Sequence, residues 1–169
     1  MTKNSLPDYL RNGLKIIFVG TNPGLVSASL GHYFSRPQNP FWKMLYDSGL
    51  IPEPLSPKND SRLIQYGYGL TDLVKRPTRS ITDLLNTDYD NGLPIFKRNM
   101  EKYRPRIICF VGKDAFKKYF KRNRKVSYGL QATKIHQSKI FVVPSMSGLA
   151  RTDDEERLYY FKELKGCLV

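Results

Sequence analysis

Apolar residues along this chain fall into runs that predict buried strands. Three segments, 15–20, 106–112 and 139–144, are apolar in their interiors and end at glycine or proline. Uninterrupted apolar runs of this length are typical of strands that are covered on both faces, as in a parallel sheet. A further segment, 129–135, is expected to form an edge element of the same sheet.

The segments between these strands carry helical signals. Apolar residues spaced at three and four positions predict helices at 40–49, 94–103 and 113–125, and a capping box at 152–155 predicts the start of a last helix. Strands and helices in this order predict an α/β fold, a three-layer α/β/α sandwich with a mostly parallel central sheet. A length of 169 residues fits one domain over 1–169.

Three stretches are predicted to lack regular structure. Residues 1–13 are expected to be a lead-in segment with little order of its own, and 51–62 contains three prolines and is expected to be a loop. Residues 25–40 are rich in glycine, serine and aromatic residues. Long loops without secondary structure of their own usually have a function, so 25–40 is a candidate working segment.

The turn after the first predicted strand, at 20–24, exposes one polar side chain suited to function. Its glycines allow a ligand to approach the backbone, and Pro23 fixes φ and removes a donor, which leaves Asn22 at the tip. An amide is no general base, but it can orient a water molecule or bind the edge of a nucleobase. The alternative is a structural turn in which Asn22 caps its own backbone. A dinucleotide-binding loop is disfavoured because the third glycine of its motif is missing.

A second loop, 145–151, follows the last predicted strand. Parallel strands end at the same edge of a sheet, and open α/β sheets bind ligands at that edge. The loops at Asn22 and Ser145 are therefore predicted to be neighbours in space.

The charge balance favours a polyanionic partner. The chain has 28 Lys and Arg against 15 Asp and Glu, a net charge of +13. Nucleic acid is the leading candidate, and an anionic membrane surface or simple solubility are the alternatives. Basic residues gather in the loop 75–79 and along the helix 113–125. Both stretches fit either contact with phosphates or a solvated surface.

Other features exclude several classes of protein. The chain has no run of about 18 apolar residues and no apolar N-terminal signal segment, so an intracellular protein without a membrane partner is expected. Cys109 and Cys167 have neither the number nor the spacing of a disulfide framework or a metal site. Reduced thiols and no bound metal are expected.

Four segments of the chain resemble the mismatch-specific uracil and thymine DNA glycosylases of the uracil-DNA glycosylase superfamily. They are 20–25, which has the family's Gly-x-Asn-Pro-Gly signature, 39–43, 69–78 and 144–151, in the same order as in the family. The resemblance implies a uracil-DNA glycosylase-like fold and an enzyme that needs neither metal nor cofactor. Such an enzyme flips uracil, or thymine opposite guanine, out of the duplex and hydrolyses its N-glycosidic bond.

The implied partner is double-stranded DNA with a mismatched or damaged pyrimidine, and a monomer is expected to act on it. The implied location is the nucleus in a eukaryote, or the cytoplasm and nucleoid in a bacterium.

The resemblance also assigns roles to single residues. Asn22 matches the catalytic asparagine, which places a water molecule against the sugar. Phe34 matches the aromatic residue on which the flipped base stacks, and Leu149 fits a wedge that fills the vacated stack. The other implied pocket residues are Thr21, Gly24, Leu25, Ser27, His32 and Asp72. The other implied DNA contacts are Ser147, Gly148, Ala150, Arg151, Arg76 and Thr78.

Three positions within the resemblance allow more than one reading. Asp72 stands where relatives carry other polar residues, and an ionised carboxylate would accept the N3–H of uracil but repel the leaving anion. Ser145-Met146 stands where some relatives have Asn-Pro, which leaves open how rigid this loop is and which opposite base it prefers. His32 could be a base in the working loop or part of the pocket wall.

Two other classes of protein stay open at this point. A non-catalytic DNA-binding module would use the basic surface and the Leu149 loop without needing Asn22. A mononucleotide-binding α/β protein would bind free nucleotides at the glycine turn.

Overall fold

A computed structural model describes residues 5–169, which form five strands, five α-helices and two 3₁₀ segments. The strands are β1 (Ile16–Gly20), β2 (Tyr68–Asp72), β3 (Ile107–Val111), β4 (Gly129–Ile135) and β5 (Ser138–Val143). The helices are α1 (Leu25–Leu30), α2 (Phe41–Asp47), α3 (Asn86–Tyr103), α4 (Lys113–Phe120) and α5 (Asp154–Gly166). The 3₁₀ segments are Pro57–Tyr66 and Ile81–Asp83.

The strands form one sheet in the order β2-β1-β3-β5-β4. All neighbours are parallel except β4, which is antiparallel to β5 at the edge. The mostly parallel sheet and the edge position of 129–135 are therefore confirmed. In the register of β1 and β2, Gly20 lies beside Asp72 at the carboxyl end of both strands.

The sheet is covered on both faces, as the uninterrupted apolar runs predicted. In β1, Phe18 belongs to the core cluster that includes Phe41 of α2 and Phe161 of α5. The next residue, Val19, belongs to the cluster on the other face, with Phe116 of α4. Successive strand residues point to opposite faces, so two separate cores make the three-layer sandwich.

The structure corrects the bounds of several elements. Helix α1 lies inside the stretch 25–40, which was predicted to be a loop, and the 3₁₀ segment from residue 57 occupies part of the predicted loop 51–62. Helix α4 ends at Phe120, five residues early, because Lys121 takes a left-handed conformation with φ of 50°. The last helix is capped by Asp153, whose side chain accepts from the backbone N–H of Glu156 at 2.8 Å.

Helix α3 begins eight residues earlier than predicted and continues through Pro94. The prediction began the helix at Pro94, and proline is indeed favoured in the first turn of a helix. Tertiary packing accounts for the difference: a Cβ on Gly92 would lie 2.1 Å from the carbonyl oxygen of Leu73. The first half of α3 therefore packs directly on the chain that leaves β2.

The N-terminal segment is more ordered than predicted. Tyr9 pairs with Leu70 of β2 through two backbone hydrogen bonds of 2.9 and 3.1 Å. Leu6 is buried, and the Tyr33 hydroxyl donates to the carbonyl of Pro7 at 2.8 Å. Residues 5–13 thus have no helix or strand of their own but are held against the rest of the fold, and positions 1–4 lie outside the described residues.

Within residues 5–169, no helix combines the length and the apolar character needed to cross a membrane.

Candidate active site

A cavity of about 490 Å³ opens at the carboxyl edge of the parallel strands. The turn after β1, the end of β2 and the loop after β5 all border it. The loops that follow Asn22 and Ser145 are therefore neighbours, as predicted. Leu6 of the N-terminal segment completes the wall.

About half of the residues predicted to act lie in the wall of this cavity. Those that do are Asn22, Gly24, Leu25, Ser27, Phe34, Asp72, Ser147 and Gly148. Those that do not are Thr21, His32, Arg76, Thr78, Leu149, Ala150 and Arg151.

The side-chain amide of Asn22 is held by the loop that follows β2. Its Nδ2 donates to the carbonyl oxygen of Arg76 at 2.9 Å and to Oγ1 of Thr78 at 2.7 Å. A carbonyl can only accept, so the orientation of the amide is fixed without ambiguity. Both N–H groups are used, and Oδ1 is the end of the amide left for a ligand or water. The alternative in which Asn22 caps its own turn is not what the structure shows.

Arg76 and Thr78 were predicted to contact DNA, and their geometry gives that prediction no support. The guanidinium of Arg76 binds both carboxylate oxygens of Asp88 on α3, at 2.9 and 2.8 Å. Thr78 is buried, accepts from Asn22 and donates to the carbonyl of Ser80 at 2.7 Å. The sequence could not show this, because the contacts of both residues with Asn22 join segments more than 50 residues apart.

Phe34 presents an aromatic ring at the cavity wall. Its ring stacks on Phe41 with centroids 4.0 Å apart and an angle of 24° between the planes. The backbone of Phe34 is left-handed, with φ of 53°, a conformation that a bulky residue adopts only under constraint from its surroundings. A rigid aromatic shelf of this kind suits stacking with a planar ligand.

Buried polar groups supply that constraint. The carboxylate of Asp60, 1% exposed, accepts from the backbone N–H of Tyr33 at 3.0 Å and lies 3.2 Å from Nδ1 of His32. On the other side of Phe34, the backbone N–H of Ser35 donates to Oγ of Ser27 at 3.0 Å. His32, predicted as a pocket residue, is not among the residues that line the cavity, and its ring lies against Asp60. Sequence inspection missed Asp60 because an isolated Asp in a proline-rich stretch carries no signal.

Thr21 is also displaced from its predicted place in the pocket. It is buried at the end of β1, where its carbonyl accepts from the backbone N–H of Val74 at 2.9 Å. This hydrogen bond joins the chain after β2 to the turn that carries Asn22.

Asp72 is a buried acid in the cavity wall. It is 5% exposed, and this burial is the main cause that raises its pKa to about 7. The charge of Lys75 opposes the rise in pKa, and the charge of Asp8 adds to it. Removal from water disfavours the charged form of a carboxyl group. At neutral pH Asp72 therefore exists in both the protonated and the ionised form.

The loop after β5 is anchored from helix α5. Arg157 is buried there, and its Nε donates to the carbonyl of Ser145 at 3.0 Å. The loop is further stiffened by Oγ of Ser147, which accepts from the backbone N–H of Leu149 at 3.2 Å. Leu149 itself is 87% exposed. A rigid loop thus holds a large apolar side chain out in solvent, beyond the rim of the cavity.

Sequence reasoning missed several residues of the wall. They include Leu6, Tyr33, Arg36, Arg79 and Met146. Arg36 and Arg79 lie close to matched motifs, and this proximity is a signal that could have found them. No pattern points to Leu6, since one apolar residue beside a proline has no periodicity.

The described residues offer no cluster of three or more His, Cys, Asp or Glu side chains that could hold a metal ion. The polar groups that line the cavity are amide, hydroxyl, carboxyl and guanidinium groups. Such a site can bind a planar polar ligand, orient water and exchange protons.

Comparisons with known proteins agree with this geometry. The model of the uracil DNA glycosylase superfamily matches residues 7–165. A solution NMR structure from Methanosarcina acetivorans, named as a candidate uracil DNA glycosylase, is similar over 98% of this chain and 99% of its own, with a TM-score of 0.64 and 21% identity. The predicted fold of this class is therefore confirmed.

Proposed function

Because the chain belongs to the uracil DNA glycosylase superfamily, we propose that it is a monofunctional DNA glycosylase for mispaired pyrimidines. Its substrate is uracil, and more slowly thymine, opposite guanine in double-stranded DNA. It works as a monomer, flips the base into the cavity, and hydrolyses the N-glycosidic bond to leave an abasic site. The Methanosarcina acetivorans protein is named as a candidate uracil DNA glycosylase, which supports the excision of uracil.

The fixed amide of Asn22 is the observation that carries this proposal. Two hydrogen bonds hold its nitrogen end at the cavity wall, which leaves the oxygen end to accept from a water molecule. When the base departs as an anion, the sugar becomes a cation that water captures readily. Placing that water requires orientation rather than a strong base, and an amide in fixed orientation suffices.

The cavity also suits the base. Phe34 offers a ring for stacking, and stacking of one base on an aromatic side chain contributes about 1–3 kcal/mol. The turn 22–24 and Ser27 bring backbone and hydroxyl groups close to the edge of a ring placed there. A volume of about 490 Å³ admits a pyrimidine together with part of its sugar.

Preference for a mispair follows from the cost of flipping. Unstacking a base costs a few kcal/mol and is least for a base that is already mispaired. Leu149, held out beyond the cavity, fills the space that the base leaves, and the neighbouring Gly148 and Ala150 offer backbone groups to the opposite guanine. The net charge of +13 favours the approach of the phosphate backbone.

A direct assay tests the proposal. A duplex with a single G·U pair is incubated with the protein and then treated with alkali, which cleaves the strand at an abasic site. The wild type is expected to give scission, and Asn22→Ala to lower the single-turnover rate by about 10²-fold or more. Asn123→Ala changes an exposed asparagine after α4 and serves as the matched control.

The outcomes separate this proposal from the two other classes. If the DNA remains intact after incubation with the wild type and alkali treatment, the proposed glycosylase activity is rejected. Binding to duplex DNA that is unaffected by Asn22→Ala, without scission, identifies a DNA-binding module. Tight binding of a free mononucleotide with neither scission nor salt-dependent duplex binding identifies a nucleotide-binding protein.

A further inference from the structure

The carboxyl group of Asp72 is a polar group in the cavity wall without a partner. It is 5% exposed at the end of β2, and it borders the cavity together with Asn22 and Phe34. Among the described residues no hydrogen bond reaches its carboxyl oxygens, and no buried side-chain polar atom lacks a partner, so these oxygens open onto the cavity. A carboxyl group that faces a cavity and is bound by no protein group is free to bind a ligand there.

The surroundings of Asp72 are built to accept this carboxyl group. A Cβ on the neighbouring Gly20 would lie 2.4 Å from Oδ1 of Asp72, so the space exists only because residue 20 has no side chain. The nearest ammonium, on Lys75, is engaged elsewhere. It binds the carboxylate of Asp8, Oγ1 of Thr71 and the backbone carbonyl of Asp72.

The charged groups around Asp72 act in both directions. Lys75 favours its ionised form, Asp8 disfavours it, and burial disfavours it most, which gives the pKa of about 7. Tyr33 faces Asp72 as a neutral phenol, since burial and this carboxyl raise its pKa far above the ordinary value. Arg36 and Arg79 reach the same cavity from its two loops.

We propose that Asp72 is a catalytic acid of this site, whose protonated carboxyl donates a hydrogen bond to a carbonyl oxygen of the flipped pyrimidine. This inference rests on the proposed glycosylase function. An ionised carboxylate would repel the departing base, whereas a neutral acid stabilises the negative charge that develops on it. A buried carboxylic acid kept neutral in order to donate is an established way of stabilising an anion.

The proton balance of the step is simple. The bond between the sugar C1′ and N1 of the base breaks, and its electron pair passes to the base, spread over N1 and the carbonyl oxygens. Asp72 gives its proton to that anion. Water held by Asn22 adds to C1′ and releases one proton, which restores the acid, so that no other reactant is needed.

The pH dependence of the single-turnover rate tests the inference. The acid is protonated below a pH of about 7, so the wild-type rate on a G·U duplex is expected to be highest near pH 6. Above pH 7 it is expected to fall by up to about tenfold per pH unit. Asp72→Asn keeps an N–H donor at every pH, and its rate is expected to be level from pH 5.5 to 9. Asp72→Ala is expected to be slow and also level.

Asp90→Asn is the matched control, because Asp90 is exposed on α3 away from the cavity. It should keep the wild-type profile. If the wild-type rate stays level or rises above pH 6, the role of Asp72 is wrong but the proposed glycosylase function stands. The same conclusion follows if the rate of Asp72→Asn falls with pH as steeply as that of the wild type. Failure of the wild type to release uracil at any pH overturns the proposed function and the inference together.

Discussion

The amide nitrogen of Asn22 donates a 2.7 Å hydrogen bond to Oγ1 of Thr78, a residue 56 positions further along the chain. Thr78 is buried and donates in turn to the carbonyl of Ser80, so its hydroxyl has one orientation. The proposed catalytic group is thus positioned by a residue that does not line the cavity. The same loop is fixed to α3 through Arg76 and Asp88.

Thr78→Val is expected to slow uracil release without abolishing folding. Valine has the shape of threonine but no acceptor, so the Asn22 amide loses one of its two anchors. A buried donor left unpaired costs about 1–3 kcal/mol, which corresponds to a rate loss of about 5- to 150-fold if it acts on the transition state. Single-turnover rates measure the loss, and Thr78→Ser should restore most of it. An unchanged rate in folded Thr78→Val would show that the anchor is dispensable.

Phe34→Ala is expected to reduce kcat/KM on a G·U duplex by about 5- to 150-fold, because stacking of one base contributes about 1–3 kcal/mol. Phe34→Tyr keeps the ring and should stay near the wild type. Phe34 has a left-handed backbone, and alanine and tyrosine meet the same constraint there as phenylalanine, so the two variants are expected to differ mainly in the stacking surface. Equal kcat/KM values for the two would count against the stacking role.

Leu149→Ala is expected to slow excision from duplex DNA much more than excision from single-stranded DNA. Only the duplex leaves a gap for the side chain to fill. The side chain is 87% exposed, so the melting temperature should hardly change. Leu130→Ala, at an exposed leucine on β4, controls for the loss of surface apolar area. Equal losses on both substrates would contradict the wedge.

Asp88→Asn is expected to lower stability at neutral pH but not in strong acid. Hydrogen bonds from Arg76, and then from the backbone of Leu85, lower the pKa of Asp88 to about 2. A group whose pKa is lower in the folded state stabilises the fold above its unfolded pKa, near 4, and loses that effect as the pH falls toward 2. Melting temperatures of the wild type and Asp88→Asn should therefore converge between pH 4 and 2.

The exposed Asp90→Asn is the control for this measurement, and its melting curve should follow the wild type throughout. A difference between Asp88→Asn and the wild type that stays constant down to pH 2 would show that the ion pair with Arg76 contributes little.

Local patterns were sufficient where one segment determines its own structure. The strands at 16–20 and 107–111 are indicated by apolar runs, which are typical of a sheet that is covered on both faces. Helix α1 was missed because it is six residues long and its only buried residue is Ala28, so it has no buried apolar face whose period could be detected. The start of α3 was missed because its packing on the chain after β2 outweighs the local preference of Pro94.

The amino-acid sequence by itself determined the α/β class, the Asn22 turn and the loop that carries Leu149, since each depends on residues adjacent in the chain. Only the tertiary structure decided that Arg76 and Thr78 hold the Asn22 amide, that His32 lies against Asp60, and that Asp72 stands unpartnered in the cavity. The reason is physical: hydrogen-bond partners and burial depend on which segments meet in space, and those segments are dozens of residues apart.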